Sequence, residues 1–192
     1  MPVHIIIDGY NFIRQSNYLS KLDNKDIELG REALIDILAI YKRYKSYKIT
    51  IVFDGTHQKI YNNFTFGNNK DLKKGIEILF SKRGETADEV IKKIVLKERE
   101  QALIVSSDNE IINFSISCKA CFIKSKDFEK KIASFLDCSN YSDCSDCSNY
   151  DNYDNKEYFE EKKTWNFSTK KKGSSRKLSK KDRQNKIKIN KL

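Results

Sequence analysis

The sequence predicts an α/β fold, with a central parallel β-sheet flanked by helices and a disordered, basic C-terminal tail. Three observations carry this reading. Short apolar runs such as HIII, ITIVF and ALIV are unbroken rather than alternating, as strands buried on both faces require. Stretches with helical periodicity lie between them, the order expected of a layered α/β domain. From residue 137 to 155 aliphatic residues vanish, and beyond that lysine accumulates. Such a segment cannot bury enough apolar surface to offset the entropy of ordering it.

Taken in order, residues 3–7 (VHIII) form the first strand. Residues 26–45 form a helix whose apolar stripe is Leu29, Ala33, Leu34, Ile37, Leu38, Tyr41 and Tyr44, with Asn24 or Asp26 as its cap. Residues 49–53 and 76–80 are the second and third strands. Segment 55–72 has no clear periodicity and lies at the edge where the strands end, so it is a candidate substrate loop. Thr86-Ala87-Asp88-Glu89 matches a capping box that opens a helix to about Arg99, with Val90, Ile91, Ile94 and Val95 inward. Strand 102–106, a short helix near 109–115, strand 120–123 and a helix from Lys126 to Leu136 complete the domain.

The repetitive tract DCSNYSDCSDCSNYDNYDN makes residues 137–156 a linker and 157–192 a separate tail. Residues 162–192 hold 13 Lys or Arg and one acidic residue, a local charge of +12 that leaves −2 for residues 1–161. That asymmetry suits a nucleic-acid-binding arm, with Lys170, Lys171, Lys172, Arg176, Lys177, Lys180 and Lys181 as the candidate contacts. Tyr158, Phe159, Trp165 and Phe167 lie beside lysines and can either stack on bases or dock on the domain. No run of 18 apolar residues points to a membrane span, and no secretory signal is expected, so the default location is the cytoplasm. There the five cysteines should be thiols. Their pairs Cys118/Cys121 and Cys144/Cys147 have zinc-ligand spacing, but the first pair runs into a strand and the second lies in the repetitive tract. Buried or incidental thiols are the reading preferred.

Four aspartates sit where apolar runs end or a helix begins: Asp8, Asp54, Asp88 and Asp108. In an open parallel sheet, ligands bind in the crevice beyond the carboxyl ends of the strands, so these side chains can converge there. Such a cluster needs a positive charge at its centre, and all-oxygen donors select Mg²⁺ or Mn²⁺ over zinc. Asp88 falls in the first turn of its helix, where the dipole favours an ionised carboxylate. Gly9 and Gly55 follow two of the aspartates and allow tight turns or close approach of a ligand. Asn11 can orient a phosphate or a water, or bond backbone in the turn. Ser106 and Ser107 can hold a metal-bound water or cap the next helix. Glu89 belongs to the capping box, and Glu85 is a peripheral ligand candidate. His4 lies within a strand and reads as packed, whereas His57 can act on a leaving group or a phosphate.

The motifs IIIDGYNFI, ELGREALIDILAIYKRYK, VFDG, GETADEVI and VSSD, taken in order over residues 1–136, resemble the NYN domain of the YacP-like kind, within the PIN-like nuclease superfamily. The resemblance implies a PIN-like (Rossmann-like) sheet and an acidic pocket that binds Mg²⁺ or Mn²⁺. It also implies endoribonuclease activity, in some members directed at RNA on or near the ribosome. By position, the catalytic and metal-binding set is Asp8, Asp54, Asp88 and Asp108, with Asn11 as polar companion.

The expected chemistry is metal-assisted hydrolysis of an RNA phosphodiester. A haloacid-dehalogenase-type phosphatase would need a second Asp two residues after Asp8, where Tyr10 stands, and neither GxGxxG nor GxxxxGK[ST] occurs. The rival reading is a non-catalytic RNA- or ribosome-binding protein with a vestigial pocket. Retention of all four aspartates argues against it, and a PIN-type toxin suits the motifs and tail less well.

Overall fold

Successive side chains of a strand face opposite ways, and the first strand uses this alternation to seed two cores. Ile5 and Ile7 enter one apolar cluster and Ile6 the other, all three fully buried. A computed structural model describes residues 3–45, 47–55, 70–139 and 189 of the chain. Its elements are β1 (His4–Asp8), α1 (Gly9–Gln15), α2 (Asn17–Lys25), α3 (Ile27–Tyr44), β2 (Lys48–Phe53), β3 (Lys70–Lys73), β4 (Ile76–Phe80), α4 (Ala87–Glu98), β5 (Ala102–Val105), α5 (Asn109–Ser117), β6 (Cys121–Ile123) and α6 (Ser125–Ser139). The six strands are ordered β3-β4-β2-β1-β5-β6. All pairings are parallel except β3 with β4. The expected α/β architecture is therefore present, with an antiparallel edge added to the parallel sheet.

Helices cover both faces. Leu34, Leu38 and Tyr41 of α3 pack with Phe12 and Ile13 of α1 and Phe128 and Ile132 of α6 against Ile5 and Ile7. On the other face, Ile91 and Val95 of α4 and Ile111 of α5 meet Ile6, Val52 and Ile104. The inner face expected of α4 is thus the one that packs, with Val90 and Ile94 at its margin. The stripe expected on α3 shifts slightly: Leu29 and Tyr44 are exposed, while Gly30, Arg31 and Ile35 are buried. Asp26 caps α3, accepting from the Glu28 N–H.

Several elements depart from the sequence reading. Helices α1 and α2 occupy residues left unassigned; Asp8 caps the first and Ser16 the second. Residues 70–73, the first three of them assigned to a loop, form β3, joined to β4 through Lys74 and Gly75. Both of those residues have positive φ, as a two-residue type I′ hairpin requires. Helix α6 runs to Ser139, three residues into the expected linker. Ile189, expected in a disordered tail, is partly buried and packs against the main core. His4 is packed, as its place in a strand suggested. Its Nδ1 meets Glu98 Oε2 at 2.5 Å and its Nε2 meets Thr50 Oγ1 at 2.7 Å.

Candidate active site at the strand ends

β1 lies between β2 and β5, and the chain crosses from one side of it to the other after β4. This is a topological switch point, where the loops diverge and leave a crevice. Asp8 is the last residue of β1, Asp54 directly follows β2, Asp108 lies three positions beyond β5, and Asp88 stands in the first turn of α4. All four line one open cavity of about 430 Å³, together with Tyr10, Asn11, Arg14, Gln15, Thr86 and Ala87. The structure thus brings together every aspartate that the sequence singled out, and Asn11 with them.

Two of the aspartates are held by the same device. Parallel pairing sets Ile7 opposite Val105 and Phe53 opposite Phe80. The next residues on each pair of strands are Asp8 beside Ser106 and Asp54 beside Ser81. Ser106 Oγ donates to Asp8 Oδ2 at 3.1 Å, and Ser81 Oγ donates to Asp54 Oδ1 at 3.2 Å. Each serine also accepts a backbone N–H, Ser106 from Asp108 on its own loop at 3.1 Å and Ser81 from Gly55, the neighbour of Asp54, at 2.9 Å. Ser106 therefore ties Asp8 to the Asp108 loop rather than capping α5. Asp108 is that cap, its Oδ1 accepting the Glu110 N–H at 2.6 Å. Asp8 plays the same part for α1, accepting the Asn11 N–H at 3.2 Å.

Burial, with neighbouring charge added to it, raises the proton affinity of two of the aspartates. Burial pushes the Asp8 carboxyl up to about 6; hydrogen bonds from Asn11 and Ser106 oppose the rise, and the nearby charges of Asp88 and Asp108 add to it. Asp88 is also raised, by burial and then by Asp108. The helix start was expected to keep Asp88 readily ionised. Its carboxyl is instead raised, because burial and the neighbouring Asp108 charge disfavour the ionised form. The capping box itself is present: Glu89 N–H donates to Thr86 Oγ1, and Thr86 N–H donates to the Glu89 carboxylate.

Other assignments change. The carbonyl of Asn11 accepts from Ser107 N–H and from Ser125 Oγ, each at 2.9 Å. Asn11 is therefore a long-range staple joining α1 to the β5 and β6 loops, not a local turn residue, and its amide nitrogen is the end left for a ligand. Gly9 and Gly55 do not clear space for a ligand. A Cβ on Gly9 would stand 2.3 Å from the Phe53 ring, and one on Gly55 would stand 2.1 Å from the Ser81 carbonyl oxygen. Both glycines admit the protein's own packing. Glu85 turns to Lys93 and to the Lys82 N–H. His57, residues 56–69 of the expected substrate loop, Cys144, Cys147 and the tail lysines and arginine lie outside the described residues, as does the Cys138 side chain. Neither Cys118 nor Cys121 is in a disulfide among the described residues.

Sequence reasoning missed Tyr10, Arg14, Gln15, Ser81 and Arg31. Residues 10, 11, 14 and 15 share one face of α1, so they entered the site only once that helix was known. Arg31 is fully buried beneath the pocket; its guanidinium bonds the Tyr10 hydroxyl and lies 5.3–5.4 Å from the ring centres of Tyr10, Phe53 and Phe80.

The donor set suits a hard divalent cation: the acidic side chains lining the cavity are four carboxylates, with neither His nor Cys among its described lining residues, and burial followed by neighbouring carboxylates raises Asp8 and Asp88. Among the described residues, no group of three or more acidic, His or Cys side chains stands close enough to hold an ion in place. Binding would therefore require the four aspartates to close on it. Among the same residues, no helix is long and apolar enough to cross a membrane.

Comparison with known proteins identifies the family and the fold. The family model for the YacP-like NYN domain matches residues 5–190, which extends past residue 136 into the expected linker and tail. The chain is 32% identical over 90 residues to the uncharacterized protein YacP of Bacillus subtilis (strain 168), covering 47% of this chain and 49% of that protein. The match thus spans about half the length of that relative. Among solved structures, Rae1 (YacP) from Bacillus subtilis superposes with a TM-score of 0.57 at 23% identity, covering 73% of this chain and 78% of that one. A mutant of the same protein gives 0.58 at 22% identity, covering 71% and 78%. That likeness establishes a shared fold.

Proposed function

We propose that this chain, which belongs to the YacP-like NYN domain family of the PIN-like nuclease superfamily, is a metal-dependent endoribonuclease. The observation that carries the reading is the meeting of Asp8, Asp54, Asp88 and Asp108 in one cavity, with the carboxyls of Asp8 and Asp88 raised. So much negative charge is a poor place for a polyanion unless a cation mediates. Asp8, Asp54, Asp88 and Asp108 would hold Mg²⁺ or Mn²⁺, which supplies an activated water and offsets charge building on the phosphate.

The chain's own groups do the positioning. Ser106 and Ser81 aim Asp8 and Asp54, and the backbone N–H groups of α1 and α5 hold Asp8 and Asp108 as caps. The amide nitrogen of Asn11 is placed to donate to a phosphate oxygen or a water. A basic tail from Lys162 onward would add affinity for RNA, alone or on the ribosome, through counterion release.

The test is cleavage of structured and single-stranded RNA by the full chain with Mn²⁺ or with EDTA, beside Asp8→Asn. Internal cleavage that needs metal and disappears in the variant is expected. Binding without cleavage under every condition would favour the vestigial, non-catalytic reading instead. Removing residues 157–192 should weaken affinity and flatten its salt dependence; unchanged affinity refutes a role for the tail.

A further inference from the structure

We propose that Arg14 binds a backbone phosphate of the RNA strand next to the scissile one, on a platform formed by Tyr10. The inference rests on the nuclease reading for the identity of the anion. Arg14 is exposed and is the one cation among the described residues that line the acidic cavity. Despite sharing that cavity with four carboxylates, it forms no ion pair among the described residues. Its guanidinium carbon lies 5.7 Å from the Tyr10 ring centre instead.

That platform is held from below. The Tyr10 hydroxyl accepts from Arg31, which is fully buried, and the ring packs edge-on against Phe53 with centroids 5.1 Å apart. A cation over a fixed aromatic face is oriented without being neutralised. Its fork of N–H donors stays available for a phosphate, whose geometry it matches.

Position along α1 decides which phosphate it meets. Arg14 lies six residues beyond Asp8, roughly 9 Å along the helix axis at about 1.5 Å per residue. Arg14 therefore sits beyond the carboxylates and reaches a flanking phosphate rather than the one being cut. It is a substrate-binding residue and takes no part in bond breaking. It also offers the strand a positive anchor at the rim of a cavity that otherwise repels it.

The experiment uses the full chain carrying Asp8→Asn, so that binding of a single-stranded oligoribonucleotide can be followed without cleavage. Adding Arg14→Ala should weaken binding about tenfold and reduce the slope of log K against log salt by about 0.7, the share of one phosphate contact on a single strand. Arg14→Lys should keep the slope while losing part of the affinity, because a point charge replaces the fork. In the otherwise wild-type chain, Arg14→Ala should raise KM while kcat changes little. Unchanged affinity and slope in Arg14→Ala overturn the proposal and leave the nuclease reading standing. Weaker binding in Arg14→Ala, in a chain whose wild type never cleaves RNA, supports the phosphate contact while the nuclease reading falls.

Discussion

Replacing Asp8 with Asn should make the metal-free protein more stable while destroying its activity. The Asp8 carboxyl is pushed from its ordinary 3.8 to about 6 in the folded chain. The folded state therefore holds the proton more tightly than the unfolded state does. The stability this contributes is fully present below about pH 4 and is lost as pH rises through about 6. A shift of about two units at 1.36 kcal/mol each means that ionised Asp8 costs the fold about 3 kcal/mol near pH 8. Asn cannot ionise, and its oxygen can still accept the Asn11 N–H. Its amide nitrogen can donate to Ser106 Oγ once that hydroxyl turns.

Urea unfolding in EDTA should then show Asp8→Asn ahead of wild type by about 1 kcal/mol at pH 4.5 and by about 3 kcal/mol at pH 8. In thermal melts this corresponds to about 2–4 °C per kcal/mol for a chain of this size. A stability difference that stays constant between these pH values would refute the electrostatic reasoning, whatever its sign.

Three further outcomes are expected. Ser106→Ala removes the donor to Asp8 Oδ2 and the acceptor of the Asp108 N–H at a fully buried position. It should cost about 1–3 kcal/mol in unfolding free energy and lower RNA cleavage about 10–100-fold. Thr86→Ala breaks the capping box that places Asp88, at a cost of about 1 kcal/mol by denaturant titration, with a fall in kcat as the helix start frays. Gly9→Ala drives a methyl into Phe53, which is stacked on Phe80 and wedged against Tyr10. A loss of about 1–3 kcal/mol should appear in the melting curve, and an unperturbed melt would contradict the packing described.

The parts of the fold that could be read from sequence were those with one dominant cause. Ile5–Ile7 and Ile49–Phe53 have to be buried on both faces, and only a covered parallel sheet does that. The start of α4 was explicit in its capping box. What escaped reading depended on long-range geometry or on residues with two roles. Asp8 was understood as a strand-end ligand, which concealed its second task as the cap of α1, and with α1 went Tyr10, Arg14 and Gln15.

Strand β3 has the sequence KDLK, with Leu72 69% exposed, so no apolar pattern announces it; pairing with β4 makes it a strand. Ser81 and Ser106 acquire meaning only from the register that sets them beside Asp54 and Asp8. Arg31, in a helical stretch of mixed polarity, reads as a surface cation until three aromatic rings close around it. The acidic set could be read because parallel topology puts every strand's carboxyl end at one edge. Its pKa shifts could not, because they depend on burial and on mutual distance.

The most direct test of the account is binding of Mn²⁺ to the full chain, followed by loss of the free-ion electron paramagnetic resonance signal. Saturable binding is predicted for wild type, displaced by excess Mg²⁺ and lost in Asp8→Asn/Asp54→Asn, with that variant still folded by circular dichroism. Equal Mn²⁺ binding by a folded double variant, or none by wild type, would contradict the claim that the four aspartates form a metal site.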